Sequence, residues 1–118
     1  MEGPDVGVDA VLYRVVRAGP PRRQPSYVAT ETVADPDDVL LDLLKRVKGG
    51  GRTPLLDRVD PLGELVVGVG SAPQLLDELR CLAEVARGPV EAERIRRLTL
   101  LARRCLNGRE VEIRFEGD

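Results

Sequence analysis

The chain has 118 residues, 18 basic and 20 acidic, giving a formal net charge of −2, and it contains no histidine. Without imidazole there is no Ser-His-Asp or Cys-His nucleophile pair, no histidine general base and no histidine-bearing zinc site. The length suits one domain with one modest core, and aromatics at only 3% mean that Leu, Val and Ala must build that core.

From the N-terminus, MEGPDVGVDA has no basic-then-apolar signal pattern and no stretch approaches the ~18 apolar residues that span a bilayer, so a cytoplasmic protein is expected. The segments Val6–Val16 and Ser26–Val33, rich in Val, Tyr and Thr, predict two strands. Between them RAGPPRRQP cannot be helical and presents Arg17, Arg22 and Arg23 near the tip of a long basic hairpin loop. A helix follows, with Asp35 as N-cap, Pro36 at the first helical position and Asp37 and Asp38 in the first turn. Its stripe is Val39, Leu40, Leu43, Leu44 and Val47, and Lys45, Arg46 and Lys48 crowd its end before the Gly49-Gly50-Gly51-Arg52 loop.

Residues 54–70 hold two apolar runs, LLDRV and LGELVVGVG, around Asp60-Pro61-Leu62-Gly63, the preferred composition of a type I turn. A second hairpin is predicted, its first strand short. Ser71 and Gln74 have capping-box spacing, and Leu75, Leu76, Leu79, Leu82, Ala83 and Ala86 continue a helix to Gly88. Pro89 allows a new helix start, Ile95, Leu98, Leu101, Ala102, Cys105 and Leu106 form its stripe, and Asn107-Gly108 ends it. Residues 110–116 alternate, with Val111, Ile113 and Phe115 on one face and Glu112, Arg114 and Glu116 on the other, as in a half-buried strand. The expected fold is a single α+β domain over residues 1–118, with a mainly antiparallel sheet of four to five strands and three helices packed against it.

The two cysteines, Cys81 and Cys105, fall on helices that reverse near Gly88-Pro89, which leaves them on the order of 13 Å apart along the helix axes at about 1.5 Å per residue. A bridge needs Cα atoms within about 7 Å, so two buried free thiols are expected. Gly68 and Gly70 precede a helix, but Pro73 stands where a dinucleotide fingerprint needs its third glycine. Asp35, Asp37, Asp38 and Asp42 are accounted for by helix capping, Asp57, Asp60 and Glu64 by turn chemistry, and neither set matches a calcium loop. No catalytic, cofactor or metal residues are assigned, and a non-enzymatic protein is expected.

Arg94, Arg96, Arg97, Arg103 and Arg104 concentrate on the last helix, and Arg97 and Arg104, seven apart, lie nearly in line along it. With the hairpin loop this defines the candidate partner-binding set Arg17, Arg22, Arg23, Arg94, Arg97 and Arg104.

The stretch SAPQLLDELRCLAEVA, followed by RIRRLTLLARRCLNGREVEIRFEGD, resembles the C-terminal part of small bacterial immunity proteins that accompany polymorphic toxins. In that group two helices rich in Leu and Arg precede a strand with a hydrophobic-charged-aromatic-acid-Gly ending, here Ile113-Arg114-Phe115-Glu116-Gly117. The resemblance implies a soluble protein-binding module that occludes a toxin active site through charge complementarity and a few buried anchors, without cofactors. The alternative from another class is a small nucleic-acid-associated regulator using the same arginines, against which stand the pI of about 5.3 and the scarcity of aromatics. A self-associating assembly or secretion chaperone, such as a homodimer, is the third reading.

Overall fold

The structure, a computed structural model, describes residues 7–17, Gly19 and residues 24–117. The elements run β1 (Val8–Val16), β2 (Ser26–Val33), α1 (Val39–Val47), β3 (Glu64–Gly68), α2 (Ala72–Val85), α3 (Gly88–Asn107) and β4 (Val111–Gly117). The four strands form one antiparallel sheet in the order β2-β1-β4-β3, and the fold is α+β. No helix among the described residues is long and apolar enough to cross a membrane.

Alternation along the strands builds the core. Ala10, Phe115 and Leu65 sit in one row across β1, β4 and β3, and Leu12, Ile113 and Val67 in the next. All six are buried and pack with Leu40 and Leu43 of α1, Leu75, Leu79 and Leu82 of α2 and Leu98 and Leu101 of α3. The helices thus cover one face of the sheet. Asp9, Val11, Tyr13, Glu112, Arg114, Glu116, Glu64 and Val66 alternate to the other face. In β2 the register shifts between Leu12 and Tyr13, so Thr30 becomes the extra residue of a bulge and its hydroxyl donates to the Leu12 carbonyl at 3.0 Å. Both cysteines are free and buried.

Three local expectations are corrected. The first helix begins at Val39 and not after Asp35, because Asp35 is held elsewhere. Its N–H donates to Asp9 Oδ1 at 3.0 Å, and its own Oδ1 accepts both the Leu40 N–H at 2.9 Å and the Arg94 guanidinium. Asp35 therefore caps the helix from outside, across a turn that closes at Asp38 in the left-handed conformation with φ 56°. Secondly, LLDRV is no strand. Leu55, Leu56 and Val59 are all buried, at helical spacing, around a 3₁₀ turn at Leu56–Arg58. Buried Glu78 of α2 fixes that turn by accepting the Leu55 and Leu56 N–H groups at 3.1 and 2.8 Å. Thirdly, Ser71 makes no side-chain cap and Gln74 turns to Glu78 at 2.8 Å, so the capping box does not form. The Asp60–Gly63 turn does close, with the Gly63 N–H donating to the Asp60 carbonyl at 3.0 Å.

Arg46 joins the three helices. It forks onto Glu91 of α3 at 2.6 and 2.7 Å and donates to the Val85 carbonyl at the end of α2 at 3.1 Å. Glu91 also accepts the Arg87 N–H at 2.6 Å, where the chain turns between the helices. The Arg46 bond and then the Arg87 N–H push the Glu91 carboxyl from its ordinary 4.5 down to about 2.

Removing the Asp35 side chain leaves Arg94, only 11% exposed, without its counter-charge. Asp35→Ala is expected to lose about 3–5 kcal/mol in urea unfolding, the usual cost of orphaning a buried partner. Glu91, with its folded pKa depressed, contributes stability that is complete above about 4.5 and disappears as the pH falls toward about 2. Glu91→Gln should flatten the fall in urea midpoint over that interval, and an unchanged acid profile would show that this carboxylate does not couple to folding.

Candidate functional site

The arginines of the last helix fall into a row and then into separate fates. Arg94, Arg97 and Arg104 share the side of α3 that faces β2. Arg94 is withdrawn into the ion pair with Asp35, whose side chain is 1% exposed, so it offers no charge to a partner. Arg104 pairs with Glu31 of β2. Arg97 lies between them beside a small hollow lined by Thr32, Val33, Arg96 and Leu100, and it makes no ion pair among the described residues. Arg96 is clasped by Glu93 at 2.6 Å. On the hairpin, Arg17 is exposed and 3.2 Å from Glu110, while Arg22 and Arg23 lie outside the described residues. Of the five arginines on the last helix, Arg94, Arg96 and Arg104 are paired with the molecule's own carboxylates, while Arg97 and the exposed Arg103 make no ion pair among the described residues.

The uncovered sheet face holds a different constellation. Arg114, outward on the central strand β4, lies over the rings of Tyr13 at 4.9 Å and Tyr27 at 4.2 Å. Its Nε donates to Glu112 at 2.7 Å, and Glu64 on β3 lies 3.8 Å from its Nη1. The Tyr13 hydroxyl donates to Glu116 at 2.6 Å. The chain has three aromatic residues, two Tyr and one Phe; Phe115 is in the core and both tyrosines contact one guanidinium on the sheet face away from the helices. Contact with two rings and hydrogen bonding to Glu112 leave Arg114 few rotamers, so it stands pre-positioned. Tyr27 and Val66, at 44% and 48% exposure, border it. Three glutamates around one arginine give the face an acidic rim.

The polar groups of this face already have partners. Both Glu116 and Glu112 already serve as acceptors, and the Glu116 hydrogen bond holds the Tyr13 phenol above its ordinary 10.0, which disfavours the phenolate a Tyr base would need. Among the described residues no group of three His, Cys, Asp or Glu side chains is placed to hold a metal ion. The charge pattern along the last helix missed this site. Its signal was the alternation that set Glu112, Arg114 and Glu116 outward; what was missing was the pairing of β1 with β4 that brings Tyr13 to them.

The Glu116 bond also sets a pH dependence. A raised folded value means that Tyr13 contributes stability in full below about pH 10 and loses it as the pH rises through that raised value. In a Tyr27→Phe background, tyrosinate absorbance should appear above pH 10 and move back toward it on Glu116→Gln; ionisation at 10 in both proteins would exclude the bond. The chain matches no protein-family model, no curated protein and no solved structure.

Proposed function

We propose that the chain is a non-enzymatic protein-binding module that engages its partner through the uncovered face of the sheet, and that the partner is a bacterial toxin domain whose active site it occludes. The observation that carries this reading is the Tyr13–Arg114–Tyr27 cluster: a chain with three aromatics in all places two of them, outward, against one guanidinium. Tyr and Arg dominate the energetics of protein interfaces. A side chain already held in its bound rotamer loses less entropy on association. The toxin-directed form of the reading comes from the C-terminal resemblance, and β4, which carries the Ile113–Gly117 ending, also carries Arg114 and Glu116 on this face.

The electrostatics favour a cationic collar on the partner. Glu64, Glu112 and Glu116 outnumber Arg114 locally, in line with a pI of about 5.3 for the whole chain. Opposite charge around a toxin cleft would steer encounter and fix register. The arginines of α3 support a basic docking surface less well, since Arg94, Arg96 and Arg104 are already paired and only Arg97 and Arg103 are left uncommitted among the described residues.

The test is co-expression with a toxin domain encoded beside this chain. The wild-type chain should restore growth, and Arg114→Ala with Tyr27→Ala, both folded by circular dichroism, should abolish rescue. Two anchors of about 2 kcal/mol each predict at least a hundredfold weaker binding. Arg97→Glu should change affinity less than tenfold. Absence of rescue by the wild type would remove the toxin reading, and a strong loss confined to Arg97→Glu would move the contact surface to α3.

A further inference from the structure

A second feature lies on the helical side of the molecule and goes beyond the protein-binding reading. Between α1 and the segment around Leu56–Arg58 runs a groove of about 290 Å³ walled by Leu41, Leu44, Leu56, Val59 and Pro61. Leu44, Leu56 and Val59 are buried and make its floor, while Lys45 and Lys48 line it as exposed side chains at its rim. Lys45 on the last turn of α1 and Lys48, the residue that follows the helix, both border this one groove.

Neither lysine has an acidic partner within ion-pair distance among the described residues. Asp57 also lines the groove, but it is engaged on both oxygens, accepting the Thr53 hydroxyl at 2.9 Å and the Gly49 N–H at 3.3 Å. The wall opposite α1 is fixed by the two N–H bonds to buried Glu78, so the groove is pre-formed. The two ammonium groups outnumber the one Asp57 carboxylate, whose oxygens are already taken, and an apolar trough with a net positive mouth is complementary to a molecule with an alkyl body and an anionic head.

We infer that this groove is a binding site for a small anionic amphiphile, an alkyl carboxylate whose chain lies against Leu44, Leu56 and Val59 and whose head group meets Lys45 and Lys48. At roughly 30 Å³ per methylene-sized group, the space takes a chain of about eight to ten heavy atoms.

The experiment is a titration of the isotope-labelled full chain with decanoate below its micelle concentration, followed by amide shifts. Saturable shifts confined to residues 41–61 are expected, with a dissociation constant of about 0.1–1 mM for a ligand of this size. Lys45→Glu with Lys48→Glu should weaken binding at least tenfold. Lys45→Gln with Lys48→Gln, which alters the surface less, should weaken it in the same direction. Butyrate, too short for the floor, should give no saturable shift.

An equal response to decyltrimethylammonium would overturn the proposal, since it would show apolar adhesion without head-group recognition. Decanoate shifts outside the groove, or none, would overturn it equally. A short acidic, leucine-containing peptide that shifts these residues where decanoate does not would replace it with protein docking. The toxin reading is untouched by any of these outcomes, because its own variants, Arg114 and Tyr27, lie on the opposite face of the sheet.

Discussion

Asp35 is the joint on which the architecture turns. Its N–H is held by Asp9 of β1, its carboxylate caps the Leu40 N–H of α1, and the same oxygen takes Arg94 of α3. One buried residue therefore links the interior strand β1, the start of the first helix and the longest helix. Engaging Arg94 fixes the rotation of α3 about its axis. Ile95, Leu98, Leu101, Ala102 and Cys105 then point into the core, and Arg104 comes to Glu31 three turns on. The other Asp35 oxygen is buried with no partner among the described residues. Desolvating that oxygen and Arg94 offsets much of their mutual attraction, so the pair acts more as an orienting device than as a net source of stability.

That arrangement explains which parts of the fold can be read from sequence. Strand β4, helices α2 and α3 and the Asp60–Gly63 turn are specified by neighbours: alternation, helical spacing and a turn whose Asp60 side chain bonds the Leu62 N–H at 2.8 Å. Where reading fails, the deciding partner is far along the chain. LLDRV turns instead of extending because Glu78, more than twenty residues later, takes its amides. The first helix starts late because Asp35 answers to Asp9 and Arg94. Gln74 has the right spacing for a capping box, but Glu78 one turn on competes for its amide. Local propensity yields wherever a buried carboxylate must be satisfied.

The candidate surface divides along the same line. Counting arginines on α3 located a row correctly but could not say that its ends face Asp35 and Glu31, because those acids belong to elements far away in sequence. Once they are paired, charge density along the helix ceases to measure what a partner would feel. Tyr13 and Glu116 are separated by 103 positions, and their bond exists only because β1 and β4 are sheet neighbours. The outward direction of Arg114 was legible; the company it keeps was not.

The two surfaces meet structurally at the C-terminal end of β4. Gly117 donates to the Gly63 carbonyl at 2.9 Å, and its Cα lies so close to Pro61 that any side chain there would collide with the Pro61 backbone. Glycine is thus required for close approach, and no unusual torsion is involved. The clamp seats Pro61 as the outer lip of the groove and, one residue away, holds Glu116 where the Tyr13 hydroxyl reaches it. The open face and the groove are therefore built on one rigid corner while presenting different chemistry: an acidic aromatic platform on one side, an apolar trough bordered by Lys45, Lys48 and Asp57 on the other. Such separation lets a single small core support two recognition surfaces, because each uses side chains the core itself does not need.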